Sequence, residues 1–160
     1  MEILLTRHGQ TEWDLLKKVQ GKADIELNEK GVKQAEETRD SLKIDLILCS
    51  PLKRAMQTAE IINQERNIKV IIDERISERD FGEFEGMHSK DFDFKAFWNI
   101  YSDQKFDKAE SILEVQNRVF NLLDELRDNP SENVLIVAHG GVGLVLMSYF
   151  EGIPEDGNYL

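Results

Sequence analysis

Short continuous apolar runs alternate with stretches of helical periodicity from one end of this chain to the other. Four runs have the length of strands: residues 3–5, 45–49, 68–72 and 133–138. The run 3–5 reads as a short buried strand. The last, with Val-Leu-Ile-Val at its centre, reads as buried on both faces. Between them the period lengthens to that of a helix. Asn28 is placed to cap a helix over 29–42 carrying Val32, Ala35 and Leu42. Ser50-Pro51 reads as a cap residue and a first-turn proline opening a helix over about 52–66. Leu113, Val115, Val119, Leu122, Leu123 and Leu126 mark an amphipathic helix over 111–127, ended by Asn129-Pro130. The stretch 142–150 is almost wholly apolar and predicts a buried helix. Residues 10–27 and 73–86 read as polar loops. Phe92, Phe94, Phe97, Trp98 and Tyr101 crowd into what reads as a small helical excursion. Strands alternating with helices predict an α/β fold with a mainly parallel sheet.

The 160 residues make one domain, 1–160, with a small helical and aromatic insertion at about 87–109. Composition then narrows the partners. Thirty-one acidic against 20 basic residues give a net charge of −11, which argues against nucleic acid or an anionic membrane surface. The single cysteine, Cys49, sits in an apolar run and reads as a buried structural thiol. A reducing compartment fits a chain with one cysteine. The N-terminal apolar run is short and carries Glu2, unlike a signal peptide, and no stretch approaches transmembrane length. These features predict a cytoplasmic protein.

Three predicted strands end in polar groups: Arg7-His8-Gly9, then Ser50 just before Arg54, then His139-Gly140-Gly141. Ligands bind at the carboxyl ends of the strands in open α/β sheets, so these ends predict one crevice. Arg54 falls in the first turn of its helix, and two helix N-termini would add N–H groups aimed at an anion. Such a set suits a phosphoryl group in flight, which carries charge on three equatorial oxygens. A guanidinium matches two of those oxygens. A neutral imidazole can attack phosphorus and split one hard displacement into two easier ones. His8 is the candidate nucleophile, with Arg7 beside it. His139 would hold the phosphoryl oxygens and give them a proton. The leaving alkoxide needs a general acid, and Glu74, Glu78, Glu83 and Glu85 all lie in the loop after the third strand. Spacing leaves the choice among them open.

Four motifs in order carry a resemblance. They are Arg7-His8-Gly9; Ser50-Pro51-Leu52-Lys53-Arg54-Ala55 with Thr58-Ala59-Glu60; Glu78 followed by Gly82 and Gly86; and Val137-Ala138-His139-Gly140-Gly141. Together they resemble the histidine phosphatase superfamily, the phosphoglycerate-mutase-like proteins. Gln20-Gly21 and Glu110-Ser111 agree with it. The resemblance implies a three-layer sandwich around the parallel sheet, a phosphohistidine at His8 and Glu78 as proton donor. It implies a phosphate pocket of Arg7, Thr11, Asp14, Arg54, His139 and Gly140. No metal and no organic cofactor is implied, and the partner is a small phosphate ester. The loop Glu78-Arg79-Asp80-Phe81-Gly82-Glu83-Phe84-Glu85-Gly86 resembles the phosphatase branch, because the tyrosine-containing mutase version is absent. The segment from Gly86 to Glu110 lacks the paired arginines with which the mutases hold a second acidic group. Its lysines, Lys90, Lys95, Lys105 and Lys108, lie among Asp91, Asp93, Asp103 and Asp107.

The chain departs from the family twice. Asp14 stands where an asparagine ordinarily donates to the phosphate. Either it points away, or it pairs with Arg7 or Lys17, or it weakens phosphate binding. The family also ordinarily continues into a further edge strand beyond the position of Leu160; a free sheet edge and a smaller fold are the two readings of that. The expected activity is metal-independent hydrolysis of phosphomonoesters. Mutase-type phosphoryl transfer and a non-catalytic phosphate-binding scaffold are the alternatives. A metal hydrolase fits poorly, because Arg7 would repel a divalent ion beside His8, and His88 reads as solvated. A dinucleotide site at Gly141-Val142-Gly143 fails at Leu146, where a third glycine belongs.

Overall fold

In a computed structural model, which describes residues 1–102, 106 and 108–160, the chain folds around four strands. Asp103, Lys105 and Asp107 lie outside the described residues. The strands β1 (Glu2–Arg7), β2 (Leu46–Cys49), β3 (Lys69–Ile72) and β4 (Asn133–Ala138) form one all-parallel sheet in the order β1-β4-β2-β3. Helices cover both faces, giving three layers. Successive side chains of a strand point to opposite faces. Leu46, Leu48, Val134, Ile136 and Ala138 accordingly pack with α4 (Ile112–Leu126) and α5 (Gly140–Glu151). Ile47, Cys49, Leu135 and Val137 pack with Ala55, Ala59 and Ile62 of α3 (Lys53–Asn63), against which α2 (Glu29–Arg39) lies.

Register decides what meets at the carboxyl edge. Arg7 pairs with Ala138, and Cys49 pairs with Val137. The next residue along each strand is then His8, His139 and Ser50. The ladder continues into them: the His8 amide donates to Ala138 O at 3.0 Å and the Ser50 amide to Val137 O at 3.1 Å. Three positions more than forty residues apart are neighbours because the sheet is in register.

The structure corrects four expectations. β1 is an edge strand rather than a buried one; none of its residues up to Arg7 is fully buried and Leu5 is exposed, while β4 and β2 are sealed on both faces. The loop 10–27 contains a one-turn helix, α1 (Glu12–Leu15), with Thr11 at its N-cap and Asp14 closing a capping box. α3 opens at Lys53 with Leu52 at its N-cap, so Ser50 is not the cap, and the Asp24 carboxylate takes the Lys53 amide instead at 2.7 Å. α5 buries only its inner flank, leaving Met147 and Phe150 exposed. Length and apolar content report burial only when a second layer exists on each side. The aromatic segment forms a 3₁₀ turn at Phe94–Trp98 that buries Phe97 and Trp98, while Tyr101 stays in solvent. Among the described residues no helix is long and apolar enough to cross a membrane.

Candidate active site

The two imidazoles carried past the ends of β1 and β4 face each other with ring centroids 5.2 Å apart. Both are buried. His8 Nδ1 lies 2.7 Å from the Gly9 carbonyl oxygen. A carbonyl can only accept, so Nδ1 carries the proton and Nε2 keeps its lone pair. Arg54 Nε donates towards that lone pair at 3.3 Å. Burial, opposed by the Gly9 hydrogen bond and reinforced by the Arg54 and Arg7 charges, lowers the His8 pKa from 6.5 to about 4. The ring is therefore neutral at pH 7, as a nucleophile must be.

Arg54 is almost wholly buried, and its own pKa is lowered by burial first of all. Two of its other four N–H groups go to the carbonyls of Ala23 and Gly21, each at 2.7 Å. Gly21 has φ +54, and a Cβ there would run into the Glu85 carboxylate. Only glycine turns this carbonyl towards Arg54 without a clash. The guanidinium is aimed by neutral carbonyls and forms no ion pair of its own, although the Glu78, Asp14 and Asp24 carboxylates act on it from farther off.

His139 sits within hydrogen-bond distance of Ser50, Nε2 to Oγ 2.7 Å. Its Nδ1 is buried without a hydrogen-bond partner, alone in this among the described side-chain nitrogens and oxygens. Burial, then the Arg54 and His8 charges, hold its pKa well below 6.5. The expectation that Ser50 caps a helix missed this contact. The signal was available: Ser50 directly follows the end of a strand just as His8 and His139 do.

Arg7 and Asp14 pair at 2.5 Å. Of the three readings of Asp14, the pairing with Arg7 is the one found. The carboxylate also accepts from Gln20 Nε2 at 2.9 Å and from the Thr11 amide at 2.9 Å. The Thr11 hydroxyl lies between Asp14 Oδ2, at 3.0 Å, and Gln20 Oε1, at 2.7 Å. Thr11 is thus committed to α1. Gly140 is exposed and stands beside the Arg7 side chain.

Of the four candidate acids only Glu78 lines the cleft above His8. Its carboxylate accepts from the amides of Arg79 at 2.9 Å and of Gly141 and Val142 at 3.2 Å each. Glu83 pairs with Lys108, Glu85 holds the Lys22 amide, and Glu74 reaches Ser77. Both helix N-termini expected to face the anion are accordingly met by carboxylates, α5 by Glu78 and α3 by Asp24. The free cationic field comes from side chains. Arg118 secures the Glu78 loop: it pairs with Glu110 at 2.7 Å and donates to the carbonyls of Arg75 at 2.7 Å and Ser77 at 2.8 Å. Arg79 is buried against the rings of Phe81, Phe97 and Trp98, tying the aromatic segment to the same loop.

Cys49 is buried, and burial pushes its thiol up to about 12, so it is inert. Among the described residues no three His, Cys, Asp or Glu side chains are grouped to hold a metal.

Residues 3–159 match the model of the histidine phosphatase superfamily (branch 1). The chain is 38% identical over 154 residues to the uncharacterized phosphatase PhoE of Bacillus subtilis, covering 94% of this chain and 77% of that protein. It is 34% identical to phosphoserine phosphatase 1 of Hydrogenobacter thermophilus, covering 87% and 71%. A mycobacterial glucosyl-3-phosphoglycerate phosphatase solved with VO3 superposes with a TM-score of 0.85 at 27% identity, over 98% and 84% of the two chains. A cationic pocket with two facing imidazoles, at the carboxyl edge of a parallel sheet, is thus accompanied by similarity along the whole chain, and the protein belongs to the histidine phosphatase superfamily as a histidine-type phosphatase.

Proposed function

We propose that this protein hydrolyses small phosphomonoesters without a metal, through a phosphohistidine on His8. One observation carries the reading: the unprotonated Nε2 of His8 lies 3.3 Å from the Nε of the buried Arg54, in a ring whose centre is 5.2 Å from that of His139. The phosphoryl oxygens of a substrate would be held by Arg7, Arg54 and His139, with Gly140 beside Arg7. Fixed cations of this kind stabilise the transition state without reorganising. The His8 lone pair forms an N–P bond as the P–O bond to the alcohol breaks. Protonated Glu78 gives its proton to the leaving oxygen. A water then loses a proton to the Glu78 carboxylate and attacks phosphorus. The N–P bond breaks, phosphate leaves, and His8 and Glu78 return to their starting states. The balance is ester plus water to alcohol plus phosphate. Thr11 and Asp14 act at one remove, by holding Arg7 and the loop behind it.

An aryl phosphate assay with and without chelator tests this. Equal phosphate release in both is expected, with His8→Ala lowering kcat by at least ~10⁴-fold. Acid-labile, alkali-stable labelling of the intact protein by substrate would locate the intermediate. Activity surviving in His8→Ala removes His8 from the nucleophile role. A second reading, a phosphate-binding scaffold, draws on the Asp14 carboxylate closing over Arg7; inertness across a panel of phosphomonoesters would favour it.

A further inference from the structure

A buried hydroxyl joins the two elements that carry the nucleophile and its arginine. Thr58 stands one turn after Arg54 on α3 and is buried. Its hydroxyl donates to the Arg54 carbonyl at 2.7 Å. A threonine inside a helix commonly bonds its own preceding turn in this way. The second contact is of another kind. The amide of Gly9, the residue directly after His8, donates to the same oxygen at 3.0 Å. A hydroxyl has one proton, and the Arg54 carbonyl takes it, so towards Gly9 the oxygen can only accept. This buried bond ties residues 49 apart in the chain.

Backbone sets the direction of the His8 ring. Its Nδ1–H donates to the carbonyl of Gly9, the next residue, at 2.7 Å. If that backbone turned, the acceptor would turn with it, and the Nε2 lone pair would leave its place 3.3 Å from Arg54 Nε. Both peptide units flanking the Gly9 Cα are held. The His8–Gly9 unit gives its N–H to Thr58 of α3, and the Gly9–Gln10 unit gives its N–H to Gln34 Oε1 of α2 at 2.9 Å. The Gln34 bond is exposed, where water can replace it, whereas the Thr58 bond is buried. A Cβ on Gly9 would come within 2.3 Å of the Gly31 carbonyl oxygen, so the close approach to α2 requires glycine. The residue that permits this contact is also the one with the most backbone freedom, and hydrogen bonds must remove that freedom.

We infer that Thr58 is a positioning residue of the reaction: its hydroxyl clamps the peptide after His8 onto α3 and so keeps the His8 lone pair aimed for attack on phosphorus beside Arg54. The inference rests on the phosphohydrolase reading of His8. Thr58 acts through Gly9 and Arg54 rather than on the substrate. Its loss should therefore slow the attack and leave substrate binding nearly as it is, because rate falls steeply when a nucleophile is misdirected. A serine would keep the clamp, and a valine of the same shape would not.

The test uses the whole chain, an aryl phosphate, and the variants Thr58→Val and Thr58→Ser. In Thr58→Val, kcat per folded molecule should fall about 30-fold with KM within about threefold, while Thr58→Ser stays within about threefold in both. Circular dichroism gives the folded fraction, and Thr58→Ala carries the test should the valine variant fail to fold. Imidazole N–H spectra of histidine-labelled protein read the clamp without turnover. The chain has three histidines, and His8→Ala identifies the signal. The His8 Nδ1–H signal should persist in Thr58→Ser and be lost to solvent exchange in Thr58→Val. An unchanged kcat per folded molecule in Thr58→Val overturns the inference, because a hydroxyl that only stabilised the fold would lower Tm alone. A serine variant as slow as the valine variant overturns it too, by making shape the cause. So does an Nδ1–H signal that survives in Thr58→Val. Those three results leave the phosphohydrolase reading standing. If the unaltered protein releases no phosphate from any phosphomonoester, that reading itself has failed and the role of Thr58 falls with it.

Discussion

Replacing Asp14 by asparagine removes one negative charge from the phosphate side of the cleft and little else. Asp14 is paired with Arg7 at 2.5 Å, with the Arg7 side chain 57% exposed and the Asp14 side chain 16% exposed. Two unit charges about 6 Å apart repel by about 3 kcal/mol at an effective dielectric constant of about 20, which sets the scale for a phosphoryl group held at Arg7. Water and ions at the open side of the pair reduce this to about half. Arg7 also ceases to be occupied by an internal anion and becomes free to fork onto phosphate. The asparagine keeps one acceptor: its oxygen at the Oδ2 position still takes the Thr11 amide, whereas Gln20 Nε2 loses the acceptor it has at Oδ1. The expected outcome for Asp14→Asn is a Kd for inorganic phosphate about 10- to 50-fold lower at pH 7. Titration calorimetry reads it, with competitive inhibition of aryl phosphate hydrolysis as an independent measure. The gain should shrink at high salt. An unchanged Kd would show that the carboxylate does not oppose the bound anion. A weaker one would show that its service in aiming Arg7 outweighs its charge.

Three further outcomes follow from the same geometry. His8 resists protonation in the fold down to about pH 4 but takes a proton near 6.5 when unfolded. The unfolded state therefore binds more protons between those values, and stability rises with pH across that window. On the order of 3 kcal/mol should be lost as pH falls from 6.5 towards 4; urea midpoints that drop equally in His8→Asn would refute this. Ser50→Ala removes the partner of a buried imidazole, and should cost about 1–2 kcal/mol in urea unfolding and about tenfold in kcat/KM. An unaltered kcat/KM would mean that His139 needs no help to hold its ring. Gly141→Ala sets a Cβ against the Trp98 ring and 2.8 Å from Glu78 Oε1. Overpacking of about 1–3 kcal/mol should lower Tm and activity together; a Tm equal to the parent's would show that Trp98 yields freely.

The periodic stretches told most of the fold. Val-Leu-Ile-Val before His139 is buried on both faces as its composition required, and α4 follows the leucines and valines that announced it, capped by Ser111. Errors arose where burial depends on a neighbour that sequence does not display. Leu5 is apolar yet lies on an edge strand, and Phe150 is apolar yet lies on the outer flank of α5. Ser50-Pro51 had the chemistry of a cap, but Asp24 supplies the cap from another loop and Ser50 turns to His139. The choice among four glutamates rested on resemblance, because the loop between Asp73 and Gly86 has no period to orient its side chains.

By itself the sequence determined the elements and where each strand stops, because apolar period and turn chemistry are local properties. It therefore delivered His8, Ser50 and His139 to strand ends without saying that these ends adjoin. Parallel register between β1 and β4, segments more than a hundred residues apart, made that decision. So did the carbonyls of Gly21 and Ala23, which aim Arg54, and the pairing that turned Asp14 upon Arg7. Those contacts depend on distance in space, which chain order does not encode.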